Sequence, residues 1–78
     1  MRYFFHLKEP GNHVVDEEGR ELSGIEAAVA AAVAAARSVI ASEVMEGRLP
    51  LASAIEIEDE QGRRIHELLF RDAVRLDG

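Results

Sequence analysis

Three histidines, a scatter of carboxylates and four serines are the side chains of this 78-residue sequence that could do chemistry. His6, His13 and His66 are the candidate metal ligands, but no H-x-H or H-x-x-x-H pair preorganises them, and there is no cysteine to complete a zinc site. Glu17, Glu18, Glu56, Glu58, Asp59 and Glu60 could supply an acid/base pair. That chemistry needs burial to push one carboxyl upward, and these positions read as turns or the solvent side of a strand. No D-x-[DN]-x-[DN]-G spacing marks a calcium loop. Ser23, Ser38, Ser42 and Ser53 include no G-x-S-x-G elbow, and none of the glycines forms a phosphate-binding loop. The expectation is a protein without catalytic residues, metal or cofactor.

The elements that would position these side chains are legible from spacing. Residues 2–8 are aromatic-rich and extended, with Tyr3, Phe5 and Leu7 on one face and Phe4 and His6 on the other. Pro10-Gly11-Asn12 turns the chain into a short return over 13–15, and Asp16-Glu17-Glu18-Gly19 turns it again before an extended 20–22. Ser23 and Glu26 match the S-x-x-E capping box and open a helix expected over 24–46, stopped by Gly47 with Pro50 beyond. Ile25, Val29, Val33, Ala36, Ile40 and Val44 recur at steps of three and four residues and are the expected core stripe. Residues 54–59 alternate with Ile55 and Ile57 inward. Asp59-Glu60-Gln61-Gly62 forms a hairpin turn, and 63–70 returns with Leu68 and Phe70 towards the helix and Ile65 and Leu69 away. The tail from Arg71 docks through Val74 and Leu76 or frays. The fold class is therefore α+β: one domain, 1–78, with an antiparallel sheet of three to four strands in the order β-β-α-β-β and one long helix on one face.

Length and charge narrow the function classes. A domain this small buries roughly 60% of its unfolded surface, so its stability is thin and self-association is one way to raise it. The net charge of −6 disfavours nucleic acid. The apolar run Ala27–Ala36 ends at Arg37, against the roughly 20 residues a membrane span needs, so a soluble helix is expected, in a cytoplasmic protein without a signal peptide.

A set of motifs in order carries a resemblance: Arg2-Tyr3-Phe4-Phe5-His6, the Asp16-Glu17-Glu18-Gly19 turn, Ile25-Glu26-Ala27-Ala28, Gly47-Arg48-Leu49, Ile55-Glu56-Ile57 through Asp59-Glu60-Gln61-Gly62-Arg63, and Phe70-Arg71-Asp72-Ala73-Val74. Together they resemble a family of very small bacterial proteins, common in alphaproteobacteria, classed as a domain of unknown function. The resemblance implies an intracellular bacterial protein with a strand–strand–helix–hairpin fold and no assigned activity. Relatives intersperse charges along the helix where this chain has alanine and valine, so an interface there would be its own.

Two surfaces are the candidate interfaces. One is a ridge of small side chains opposite the core stripe: Ala27, Ala31, Ala34, Ala35 and Ser38. The other is the open sheet face, where Phe4, His6, Ile65 and Leu69 would form an apolar patch if their strands adjoin. The helix also outruns the strands around Ile40–Met45, which needs cover from Leu49-Pro50-Leu51 or from a second chain. The expected function is a non-catalytic protein-interaction or self-associating module, a homodimer or the binder of an unidentified protein. The alternative is a regulatory protein binding a basic partner, since the element order is similar, at the level of fold alone, to the sheet-plus-helix domain of HicB-type antitoxins.

Overall fold

A computed structural model describes residues 1–77. The chain runs β1 (Arg2–Glu9), β2 (Asn12–Val14), β3 (Arg20–Glu21), α1 (Ile25–Met45), β4 (Ala54–Glu58), β5 (Arg64–Leu69) and a 3₁₀ turn (Phe70–Asp72). It is an α+β fold with a wholly antiparallel sheet in the order β2-β1-β4-β5. The two-residue β3, read from sequence only as an extended stretch, pairs with the start of β1 and brings the sheet to five strands. β1 and β4 occupy the centre, which places their aromatic and isoleucine faces over the core.

Local chemistry sets the element ends. Gly47 adopts φ 83°, its N–H donates to the Val44 carbonyl at 2.9 Å, and the Arg48 N–H donates to Glu43 at 2.9 Å. This is the paired C-terminal lock that a left-handed glycine permits. The N-terminal expectation fails: Gly24, not Ser23, caps α1, and no side chain bonds to the helix amides there. Ser23–Glu26 is thus a capping box in spelling only. The helix begins one residue later than the box requires, so Ser23 precedes the cap position and Glu26 is the second helical residue instead of the third.

The helix meets the sheet through its smallest side chains. Ala28, Ala32 and Ala36 are completely buried, followed one turn on by Ile40. Val29, Val33 and Val39 pack along the sides of this row. The expected stripe was therefore rotated: Ala36 and Ile40 belong to it, but Ile25 and Val44 are 42% and 51% exposed. Alanines at i, i+4 and i+8 let the helix axis settle close over Tyr3, Ile55, Ile57 and Leu68, and the bulkier valines fill the flanks. By length and composition alone, α1 as a whole is also apolar enough to cross a membrane, which the run ending at Arg37 did not suggest.

Past β5, the chain closes the open end of the core. Phe70 is fully buried and its N–H donates to the Ser53 carbonyl at 2.9 Å. Ala73 is buried beside it, and Arg37 Nε on the helix donates to the Ala73 carbonyl at 2.7 Å. The tail thus docks through Ala73 with Val74 in support, while Leu76 is exposed.

Gly19 is the tightest backbone point. Its φ is +71°, and a Cβ there would lie 2.8 Å from the Tyr3 carbonyl oxygen. Gly19→Ala should cost about 1–3 kcal/mol from the left-handed backbone alone, with the clash adding to it. Urea unfolding followed by circular dichroism checks this, and an unchanged midpoint would contradict the packing of the β2–β3 loop on β1.

Candidate functional site

The open sheet face is built by the alternation of β1, β4 and β5. Cross-strand register sets Phe4 against Glu58 and Glu58 against Arg64, then His6 against Glu56 and Glu56 against Glu67. The charged row of β4 therefore lies between Phe4 on β1 and Ile65 and Leu69 on β5. The condition for an apolar patch is not met: these strands do not adjoin, and Glu56 and Glu58 separate the apolar groups. Ile65 is the extra residue of a bulge and is 38% exposed, whereas Phe4 and Leu69 are half-buried.

What the face carries instead is a charge network centred on Glu56. Its carboxylate accepts from Arg64 Nη1 at 2.5 Å and lies 3.3 Å from Lys8 Nζ and 3.9 Å from His13 Nε2. Partial burial pushes the Glu56 carboxyl up, but Arg64 and Lys8 outweigh it and hold the group below the usual carboxylate range. Lys8 also reaches Glu67 at 3.6 Å. This arrangement keeps Glu56 ionised, which suits an ion-pair anchor and not a general acid.

His6, placed by alternation on the open sheet face, is buried there. Its Nδ1 accepts from the Asp16 N–H at 3.0 Å and its Nε2 stands 3.4 Å from Glu58 Oε1. The bond to Nδ1 fixes the tautomer of the neutral ring with its proton on Nε2. His13 meets the His6 ring edge-on with centroids 6.1 Å apart. His66 stands across from Ile57 on the opposite face, with β4 between its strand and β1, so the three histidines do not converge. Among the described residues, no group of three or more His, Cys, Asp or Glu side chains is arranged to hold a metal ion.

Two aspartates organise loops, and one of them is more buried than its sequence context suggests. Asp16 fills the gap between β2 and β3. Oδ2 accepts from the Phe5 N–H at 3.0 Å, and Oδ1 accepts from the Glu18 and Gly19 N–H groups at 3.1 Å each. The carboxylate thus replaces the missing strand opposite the middle of β1. Partial burial pushes its pKa up, but the three backbone donors outweigh it and the group is held below its ordinary range. Asp59, only 5% exposed, does the same in the β4–β5 turn. Oδ1 accepts from the Gln61 and Arg63 N–H groups at 3.0 and 2.9 Å, and Oδ2 from Arg63 Nε at 3.1 Å. Those backbone bonds lower its pKa too.

The alanine ridge divides between two surroundings. Ala27 and Ala31 are half-buried, whereas Ala34, Ala35 and Ser38 are exposed. Ala31 and Ala35 form one wall of an open cleft of about 540 Å³, closed on the other side by Phe5, Val15 and the Asp16–Arg20 loop. A second cleft, also about 540 Å³, lies between the β1–β2 turn and the 48–53 loop and is lined in part by Glu43 and Leu49. Leu49 itself is 55% exposed, so the loop covers the helix overhang only in part: Met45 remains 84% exposed. The overhang expected from the lengths of helix and strands is thus present, and the 49–51 segment leaves Val44 and Met45 exposed.

These features define a small α+β scaffold, one helix on an antiparallel sheet, with a salt-bridged open face. The chain belongs to the family described as domain of unknown function DUF6894, whose model matches residues 2–71. Comparisons with curated proteins and with solved structures gave no match.

Proposed function

We propose that the protein is a small, non-catalytic interaction module of the cytoplasm, acting through self-association and by docking a protein partner on the outer side of α1. The observation that carries this reading is the apolar end of the helix: Val44, Met45 and Leu49 are 51%, 84% and 55% exposed. Three large apolar side chains left exposed within six residues at one end of a helix support an interface there. Towards the N-terminus the outer side continues as exposed Ala30, Ala34 and Ala41, with Arg37 the one charge between Glu26 and Glu43. Glu43 and Glu46 flank the apolar end, so the fitting partner is a protein with an apolar patch and a basic rim.

Met45 is solvated, so Met45→Glu should leave the fold intact while placing a charge at the centre of the contact. Retention of specific partners from a lysate of the native host, read by quantitative mass spectrometry, should fall about tenfold or more with this variant, the loss typical of a disrupted interface centre. Equal retention by both proteins, or none by the wild type, overturns the docking reading.

A further inference from the structure

The two edges of the sheet differ in kind. One is formed by β2 and β3, three and two residues long, with the Asp16 loop bonded into the gap between them. The other is β5, six residues, at which the strand order ends and along which Arg64, Ile65, His66 and Glu67 are all exposed. The bond from the Phe70 N–H to the Ser53 carbonyl sets the phase of the β4–β5 ladder. By the alternation of antiparallel pairs, Leu68 and His66 turn their backbone groups towards β4, and Glu67 and Leu69 turn theirs to the free side. Across the bulge, Arg64 stands opposite Glu58 and so also turns its backbone outward.

We propose that β5 is a self-pairing edge, along which a second copy of this chain joins antiparallel with Arg64 of each copy opposite Glu67 of the other. The proposal rests on the reading of the chain as an interaction module but names a different surface from the helix end. Its argument is complementarity. Arg64 and Glu67 both offer outward backbone groups, and their cross-strand partners Glu58 and Glu56 place both side chains on the open face. Pairing one with the other in a two-fold arrangement therefore joins outward backbone groups on both sides of the bulge at Ile65, matches the faces and forms two ion pairs. Registers that bring Glu67 opposite itself, or Arg64 opposite itself, set like charges together, which destabilises a cross-strand pair. In the paired register each Arg64 guanidinium lies between its own Glu56 and the partner's Glu67. The two-fold axis then stands perpendicular to the sheet. Both helices lie on the same side of one continuous sheet, and the apolar helix end is presented twice.

The test is a charge swap on the full chain, read by size exclusion with light scattering at high micromolar concentration. The wild type should have the mass of a dimer. Arg64→Glu and Glu67→Arg should each be monomeric, because each sets like charges opposite one another. Their equimolar mixture should recover the dimer mass, because only in the mixed pair does each acidic position of one chain face a basic position of the other. Amide exchange of the wild type by NMR needs no variant: Glu67 and Leu69 should gain protection as concentration rises. A monomeric wild type overturns the edge pairing together with the self-association reading. A dimer indifferent to both swaps, with Glu67 and Leu69 exchanging equally at all concentrations, overturns the edge pairing and leaves self-association standing on another surface.

Discussion

Phe70→Ala is expected to leave the chain largely unfolded at 25 °C. Phe70 is, with Ile57, the largest fully buried side chain, and it seals the end of the core where β5 gives way to the 3₁₀ turn. Truncating a buried phenylalanine to alanine costs about 3–5 kcal/mol, from lost transfer energy and the cavity left behind. A single core in a domain this size supplies little more than about 3–5 kcal/mol in total. The loss thus matches the whole margin. The cavity also has no easy route to collapse, because the Phe70 N–H is tied to Ser53 and the Ala73 carbonyl to Arg37. Far-UV circular dichroism should show loss of the helix signal, and one-dimensional NMR should show collapsed amide dispersion. Phe70→Leu keeps most of the volume and should fold with a lowered urea midpoint. If the alanine variant melts within a few degrees of the wild type, Phe70 is not the plug described above.

The second large effect concerns Asp16. Asp16→Ala removes the acceptors of three backbone N–H groups and frees the loop that also holds His6 Nδ1. Hydrogen bonds to an ionised acceptor contribute about 1.5–3 kcal/mol each, but the exposed amides recover water, so the expected loss is about 2–4 kcal/mol. Asp16→Asn keeps Oδ1 for Glu18 and Gly19 but can turn an amide donor towards the Phe5 N–H, and should fall between wild type and alanine.

The pH dependence separates the charge from the shape. The folded pKa of Asp16 is depressed, so the stability it contributes is fully present above about pH 5 and is lost as the pH falls through the folded value, below about 3.9. Asp59 and Glu56 are depressed in the same direction and add to the same acid limb. The wild type should therefore lose stability steeply in acid, Asp16→Asn should lose it less steeply, and the two curves should converge at low pH. Urea titrations at a series of pH values measure this. Parallel curves across the whole range would show that the Asp16 carboxylate is not preferentially ionised in the folded protein.

Much of the fold is local and was readable from the chain. Alternation placed Tyr3, Phe5, Leu7, Ile55, Ile57 and Leu68 towards the helix, because side chains of a strand point in turn to opposite faces whatever the strand pairs with. Gly47 ended the helix, since a residue without Cβ enters the left-handed region readily. Asp59 to Gly62 turned the hairpin, because a short carboxylate can satisfy the amides two and four residues ahead. Three things were decided by tertiary contact. The order β2-β1-β4-β5 put Glu56 and Glu58 between Phe4 and the apolar residues of β5, and pairing between distant strands leaves no trace in spacing. Asp16 reached across to Phe5 and His6, buried the histidine and bridged a broken edge, a geometry set by how two short strands meet one long one. The side of α1 that lies on the sheet was also a tertiary choice. A helix of alanine and valine offers little hydrophobic contrast between its faces, so the closeness of approach, and not the apolar character of the side chain, selected Ala28, Ala32 and Ala36 for the contact.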